Sequence, residues 1–117
     1  MERSSRIFVF GSNLAGRHGK GAAKYAREFC GAIYGQAEGL QGNSYGIPTK
    51  DERLRSRSLD DIRQSIERFI QFARENPQYQ FNLTPIGCGL AGFRKDQMLP
   101  FLKDKPENVH FTKEWDE

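Results

Sequence analysis

Twice in this chain an apolar, β-prone run empties into a cluster of glycines, and each cluster leads into a helix-forming segment. The first run is Arg6-Ile7-Phe8-Val9-Phe10, followed by Gly11, Ser12 and Asn13 and then by Gly19, Lys20 and Gly21. The second is 81–86, followed by Gly87, Cys88, Gly89, Leu90, Ala91 and Gly92 and closed by Phe93. Loops this poor in bulky side chains leave their backbone N–H groups open to close approach. N–H groups lying between a strand and a helix N-terminus suit a negatively charged group, phosphate above all. The pattern predicts two loops facing each other across one anionic ligand, with the rest of the chain holding them in place.

The remaining elements fit a strand–helix alternation. The run at 6–10 has no polar alternation and reads as a buried strand that stops at Gly11. A helix is predicted over about 21–30, with Ala22, Tyr25 or Ala26, and Phe29 on its buried face and Gly31 as its stop. Ala32-Ile33-Tyr34 reads as a short strand, 35–44 as a glycine-rich loop or wide hairpin, and Tyr45-Gly46-Ile47-Pro48 as a strand ending at the proline. The strongest helix follows. Ser58 suits its N-cap, with Asp61 three residues on, and Leu59, Ile62, Ile66, Phe69, Ile70 and Ala73 recur at three- and four-residue steps until Pro77. A strand over 81–86, a short helix over 94–103 interrupted by Pro100, a last strand over 108–111 and a frayed polar tail complete the chain. This order predicts one α/β layered domain over 1–117 with a largely buried sheet.

The 117 residues suffice for one modest core. No apolar run is long enough to cross a membrane and no apolar signal core follows the N-terminus, so a cytoplasmic protein is expected. Cys30 and Cys88 make no disulfide framework and stand in no metal-ligand spacing, and neither a metal nor a cofactor is expected. The net charge of +3 favours an anionic partner but falls short of a nucleic-acid signature. The basic segment 50–57 is broken by Asp51 and Glu52 and reads first as a solvated loop.

Neither glycine loop is a P-loop, because no Gly-Lys-Ser/Thr follows the required spacing, so nucleoside triphosphate hydrolysis is not expected. Lys50, directly after a buried strand, is a candidate cation or base in a cleft, against the plainer reading of a surface lysine. Cys88 lies near a helix start that would lower its pKa, and His18 in the opposite loop is its candidate partner. The alternative is a small packed cysteine. Phe93 is either a stacking surface for a sugar or base or a core residue.

With these residues in view, the chain resembles a compact macro domain, the ADP-ribose-binding module, of bacterial or phage type. Ile86-Gly87-Cys88-Gly89-Leu90 is similar to the phosphate loop of the branch that removes terminal ADP-ribose from protein carboxylates. Gly19-Lys20-Gly21-Ala22-Ala23 is similar to that group's first glycine loop, and Ile47-Pro48-Thr49-Lys50 to its strand ending in a functional lysine. The likeness spans roughly 7–109. It implies a three-layer α/β/α sandwich with a mixed, mostly parallel sheet and a crevice at the strand ends. The second loop's amides would hold a diphosphate, with Gly19 to Ala22 across from it, Phe93 against the distal ribose and Asn13 bonding that ribose. Two positions depart from the family's hydrolases: Ala91 and Ala23 stand where related enzymes carry aspartates.

The sequence therefore predicts binding of ADP-ribose or a related NAD-derived nucleotide, free or attached to protein, through Gly11, Ser12, Asn13, Gly19, Lys20, Gly21, Ala22, Thr49, Lys50 and residues Ile86 to Phe93. The alternatives are hydrolysis of carboxylate or ester adducts of ADP-ribose by Lys50 with Asn13, and nucleic-acid binding by the basic 50–57 segment. No membrane partner is expected.

Overall fold

The computed structural model describes residues 6–117. Its centre is a five-stranded sheet in the order β2-β3-β1-β4-β5, built from β1 (Arg6–Asn13), β2 (Gly39–Gln41), β3 (Ser44–Lys50), β4 (Gln80–Leu83) and β5 (Val109–Phe111). β3, β1, β4 and β5 run parallel, and the short edge strand β2 pairs antiparallel with β3. Helix α1 (Gly21–Phe29) joins β1 to β2, α2 (Leu59–Glu75) joins β3 to β4, and α3 (Lys95–Met98) with a 3₁₀ turn at Leu99–Leu102 precedes β5. The predicted layered α/β sandwich with a mostly parallel sheet is what the chain forms.

The alternation of side chains along β1 shows why its apolar run is continuous. Ile7 and Val9 enter the larger core cluster, on the α2 side, with Tyr45, Ile47, Phe81 and Leu83. Phe10, with Phe8 packed beside it, enters a smaller cluster with Ala23 and Ala26 of α1. A central parallel strand covered on both faces has no use for polar alternation. Helix α2 supplies Ile62, Ile66, Phe69, Ile70 and Ala73 to the larger cluster. Each large side chain so buried contributes about 1.5–3 kcal/mol. The Ser58 hydroxyl accepts from the Asp61 amide at 3.1 Å, as its N-cap position predicts.

Several boundaries differ from the sequence expectation. β1 continues through Gly11, Ser12 and Asn13 because β3 offers it partners up to Lys50. β3 likewise runs through Pro48 to Lys50, and the register shifts between Ser12 and Asn13. Ala32-Ile33-Tyr34 is no strand. The edge strand lies instead at 39–41, inside the stretch read as loop or hairpin. On α1 the helix buries Ala23 and Ala26, while Ala22 is exposed, Tyr25 is 49% exposed and Phe29 71% exposed. The polar tail forms a 3₁₀ turn at Lys113–Asp116, anchored where the Trp115 indole donates to the Leu83 carbonyl at 2.7 Å. No helix among the described residues is long and apolar enough to cross a membrane.

Candidate functional site

The carboxyl ends of β1, β3 and β4 open into a crevice of about 1160 Å³. This is where an open α/β sheet offers backbone ends rather than side chains to a ligand. Gly11, Ser12, Asn13, Gly19, Lys20, Gly21, Ala22, Thr49, Lys50, Ile86, Gly87, Cys88, Gly89, Leu90 and Ala91 all line it. Of the residues expected to bind the ligand, Gly92 and Phe93 fall outside, as does His18, the candidate partner of Cys88. Gly92 is exposed and donates to Gly89 at 3.0 Å, and Phe93 packs against the larger core cluster with its ring beneath Gly87.

The two glycine loops meet across this crevice. A Cβ placed on Gly21 would stand 3.9 Å from Cδ1 of Leu90. In the second loop the amides of Ile86, Cys88, Gly92 and Phe93 donate to Thr84, Pro85, Gly89 and Gly87 respectively, which folds the loop on itself. The amides of Gly87, Gly89, Leu90 and Ala91 find no acceptor among the described residues. In the first loop the amides of Gly19, Lys20, Gly21, Ala22 and Ala23 are likewise left over, ahead of the first internal bond of α1. A helix N-terminus always leaves such donors, and its dipole adds partial positive charge there.

Side chains between the loops are mostly committed to structure. Asn13 is buried, its Oδ1 accepting from the Arg17 amide at 3.0 Å and its Nδ2 donating to the Arg17 carbonyl at 2.7 Å. The Ser12 hydroxyl donates to the Ala37 carbonyl, and Thr49 reaches toward the Ser12 carbonyl at 3.5 Å. The Ser56 hydroxyl donates to the Ala91 carbonyl, tying the 51–57 loop to the second glycine loop. Lys50 is the contrast: its backbone holds the Leu14 amide at 2.9 Å, while its ammonium group pairs with no carboxylate among the described residues.

The cysteine–histidine pairing is not formed. His18 is fully buried, and its Nε2 is directed to oxygens of Ile33, Gln36 and Gln41. The Cys88 thiol faces the Ile86 carbonyl at 3.4 Å. Burial pushes its pKa up, and the nearby Lys95 ammonium opposes that only in part, so the thiol stays protonated at neutral pH. In the basic segment, Arg55 pairs with Asp51, and Arg57 turns inward to the Pro48 carbonyl and the Ser65 hydroxyl.

The sequence reading missed one wall. Lys95, Glu114 and Glu117 line the crevice, because the Lys95 ammonium donates to the backbone carbonyls of Glu114 and Glu117 at 2.6 Å each. Phe8 and Tyr25, with ring centroids 5.0 Å apart, line it as well. No local signal marks these positions, since they are brought together only by tertiary packing. Among the described residues no cluster of His, Cys, Asp and Glu is suited to a metal ion.

No protein-family model matches the chain, and no curated protein matches it. Solved structures do. A protein of unknown function from Bacteroides thetaiotaomicron superposes with a TM-score of 0.60 at 18% identity, covering 94% of this chain and 90% of that one. The macrodomain of Mycobacterium tuberculosis DarG gives 0.58 at 19% identity, with 94% and 89% covered. A further Bacteroides thetaiotaomicron protein gives 0.55 at 19%, with 96% and 94% covered. At such identities the likeness speaks to architecture, and the architecture is macrodomain-like.

Proposed function

We propose that the crevice binds ADP-ribose or a related NAD-derived nucleotide, free or as an adduct on protein. The observation that carries this reading is the pair of glycine loops, both lining one crevice and presenting amides that find no acceptor among the described residues. Unpaired amides at strand ends and at a helix N-terminus match a diphosphate in charge and in hydrogen-bonding need. The macrodomain-like fold supports the same ligand class, as does the resemblance of the two loops and of Ile47-Pro48-Thr49-Lys50 to that family. Calorimetry with ADP-ribose is expected to give a micromolar Kd, on the order of −7 to −8 kcal/mol. Absence of heat and of amide chemical-shift change at millimolar ligand would end this reading.

A second reading is release of ADP-ribose from carboxylate or ester adducts, and the uncommitted ammonium of Lys50 in the crevice favours it. Ala23 and Ala91, both buried, offer no carboxylate to assist the lysine, and Asn13 has its amide held by Arg17. Incubation with ADP-ribosylated protein tests this: turnover by the wild type that Lys50→Ala abolishes supports an enzyme, and equal inertness removes that claim.

A further inference from the structure

His18 lies outside the crevice lining, yet the first glycine loop is built around it. Its Nε2 faces three oxygens: the Ile33 carbonyl at 3.0 Å, the Gln36 carbonyl at 3.1 Å and Gln41 Oε1 at 3.2 Å. Carbonyls only accept, so Nε2 carries a hydrogen and is the donor to these oxygens. Nδ1 is buried without a partner among the described residues, a position in which polar atoms are normally satisfied. The ring stays because it also packs, edge-on to Phe10 with centroids 5.3 Å apart and against Tyr34 at 6.3 Å.

Gln41 fixes the polarity of this network. Its Oε1 accepts from the Ile33 amide at 2.8 Å, and its Nε2 donates to the Gln36 and Gly39 carbonyls at 3.2 and 3.3 Å. The chain around His18 is pinned on every side. The Gly35 amide donates to Gly16 at 2.8 Å, Asn13 holds both backbone groups of Arg17, and Arg27 Nε donates to the His18 carbonyl at 3.1 Å. The very next residue, Gly19, begins the run of amides with no acceptor among the described residues.

We infer that His18 is a positioning residue: through Ile33, Gln36 and Gln41 it sets the amides of Gly19 to Ala22 at the angle an anionic ligand needs. This rests on the reading of the crevice as a nucleotide site. Preorganised donors bind more tightly than donors that must be ordered on binding.

The test compares wild type with His18→Phe, which keeps a ring but no donor, and His18→Gln, which returns an amide donor. Two readouts are taken: the ADP-ribose Kd, and the amide resonances of Gly19–Ala22 and Gly87–Ala91 in ligand-free protein. His18→Phe should raise Kd roughly five- to thirtyfold, the equivalent of a lost one to two kcal/mol. It should displace the first loop's resonances and leave the second loop's in place, and His18→Gln should recover most of both effects. A purely structural role predicts that both loops move together and that glutamine restores nothing specific to the first. That result would overturn the inference, as would His18→Phe behaving as wild type. If His18→Phe does not fold, His18→Asn takes its place, since its shorter amide does not reach the three oxygens and the same loss is expected. If wild type binds no ADP-ribose, the nucleotide reading fails, and the ligand-free resonances still decide the role of His18.

Discussion

Leu90 Cδ1 lies 3.9 Å from the point where a Cβ on Gly21 would stand, so the two glycine loops approach each other at a residue that has no side chain. Gly21 also holds φ at +59°, at the first position of α1. Both facts bear on one substitution. The methyl of Gly21→Ala would meet Leu90 at ordinary contact distance, so the penalty comes from the backbone, about 1–2 kcal/mol for an L-residue held left-handed. Denaturant titration is expected to show that loss, with weaker ADP-ribose binding as the first loop relaxes. Leu90→Ala, at a position 65% exposed, should leave stability within about 0.5 kcal/mol. Equal stability of Gly21→Ala and wild type would show that the loop does not depend on this conformation.

Gly87 and Gly89 sit two residues apart and are predicted to fail differently. A Cβ on Gly87 would come within 2.9 Å of Met98 Cε and 3.5 Å of Phe93, and φ there is +75°. A Cβ on Gly89 would meet nothing within 4 Å, while the residue itself lines the crevice. Gly87→Ala should therefore unfold at lower denaturant, by about 1–3 kcal/mol for strain and crowding together. Gly89→Ala should melt like wild type and lose ADP-ribose affinity by roughly tenfold, or about 1.4 kcal/mol. If Gly89→Ala binds normally, the amides beside it do not carry the ligand.

Lys50 separates binding from chemistry. Because its ammonium pairs with no carboxylate among the described residues, Lys50→Ala should change stability by no more than about 0.5 kcal/mol. A hydrogen bond from a charged group to the ligand is worth about 1.5–3 kcal/mol, so ADP-ribose affinity should fall by at least tenfold if the ammonium meets the ligand. Lys50→Arg keeps the charge and should recover part of that affinity. Full affinity in Lys50→Ala would place the ammonium outside the bound nucleotide.

How far the sequence foretells this molecule depends on whether the cause is local. The α2 periodicity, the Ser58 cap and the strand–glycine–helix order are local signals, and the elements lie where they point. The length of β1 is not local, because Gly11, Ser12 and Asn13 become strand only by pairing with Ile47, Pro48 and Lys50 in β3. Ile33 and Tyr34 have strand-like side chains but lie where His18 and Gln41 take up the backbone of the segment, with Ile33 donating its amide to Gln41 and accepting from His18. The helical spacing on α1 points Ala22, Tyr25 or Ala26, and Phe29 inward; of these Ala26 is buried, and Ala23 joins it against Phe10. At the crevice, the glycines are visible in sequence because their reason is backbone geometry. The Lys95 bridge to Glu114 and Glu117 is invisible because a fold has to bring those residues together.

Tyr45 supplies a prediction for alkaline pH. Its ring lies 4% exposed between Phe69 and Phe72, with centroids 5.0 and 5.3 Å away. Burial raises its pKa from 10.0 to about 12, the Glu38 carboxylate adding to the shift and the Arg68 guanidinium opposing it. The folded protein therefore holds the phenolic proton more tightly than the unfolded chain does. Stability from this group is complete below about pH 10, where both states are protonated. It declines as pH rises toward 12, where the unfolded chain is stabilised by ionising while the folded one resists. A shift of this size corresponds to on the order of 2 kcal/mol. Denaturant midpoints measured from neutral pH upward should be flat and then fall above pH 10, and Tyr45→Phe should lose that part of the fall. Phenolate absorbance should show one late-titrating tyrosine in wild type that is missing from the variant. A wild-type tyrosine set titrating together near 10 would mean that the ring is not shielded by Phe69 and Phe72 in solution.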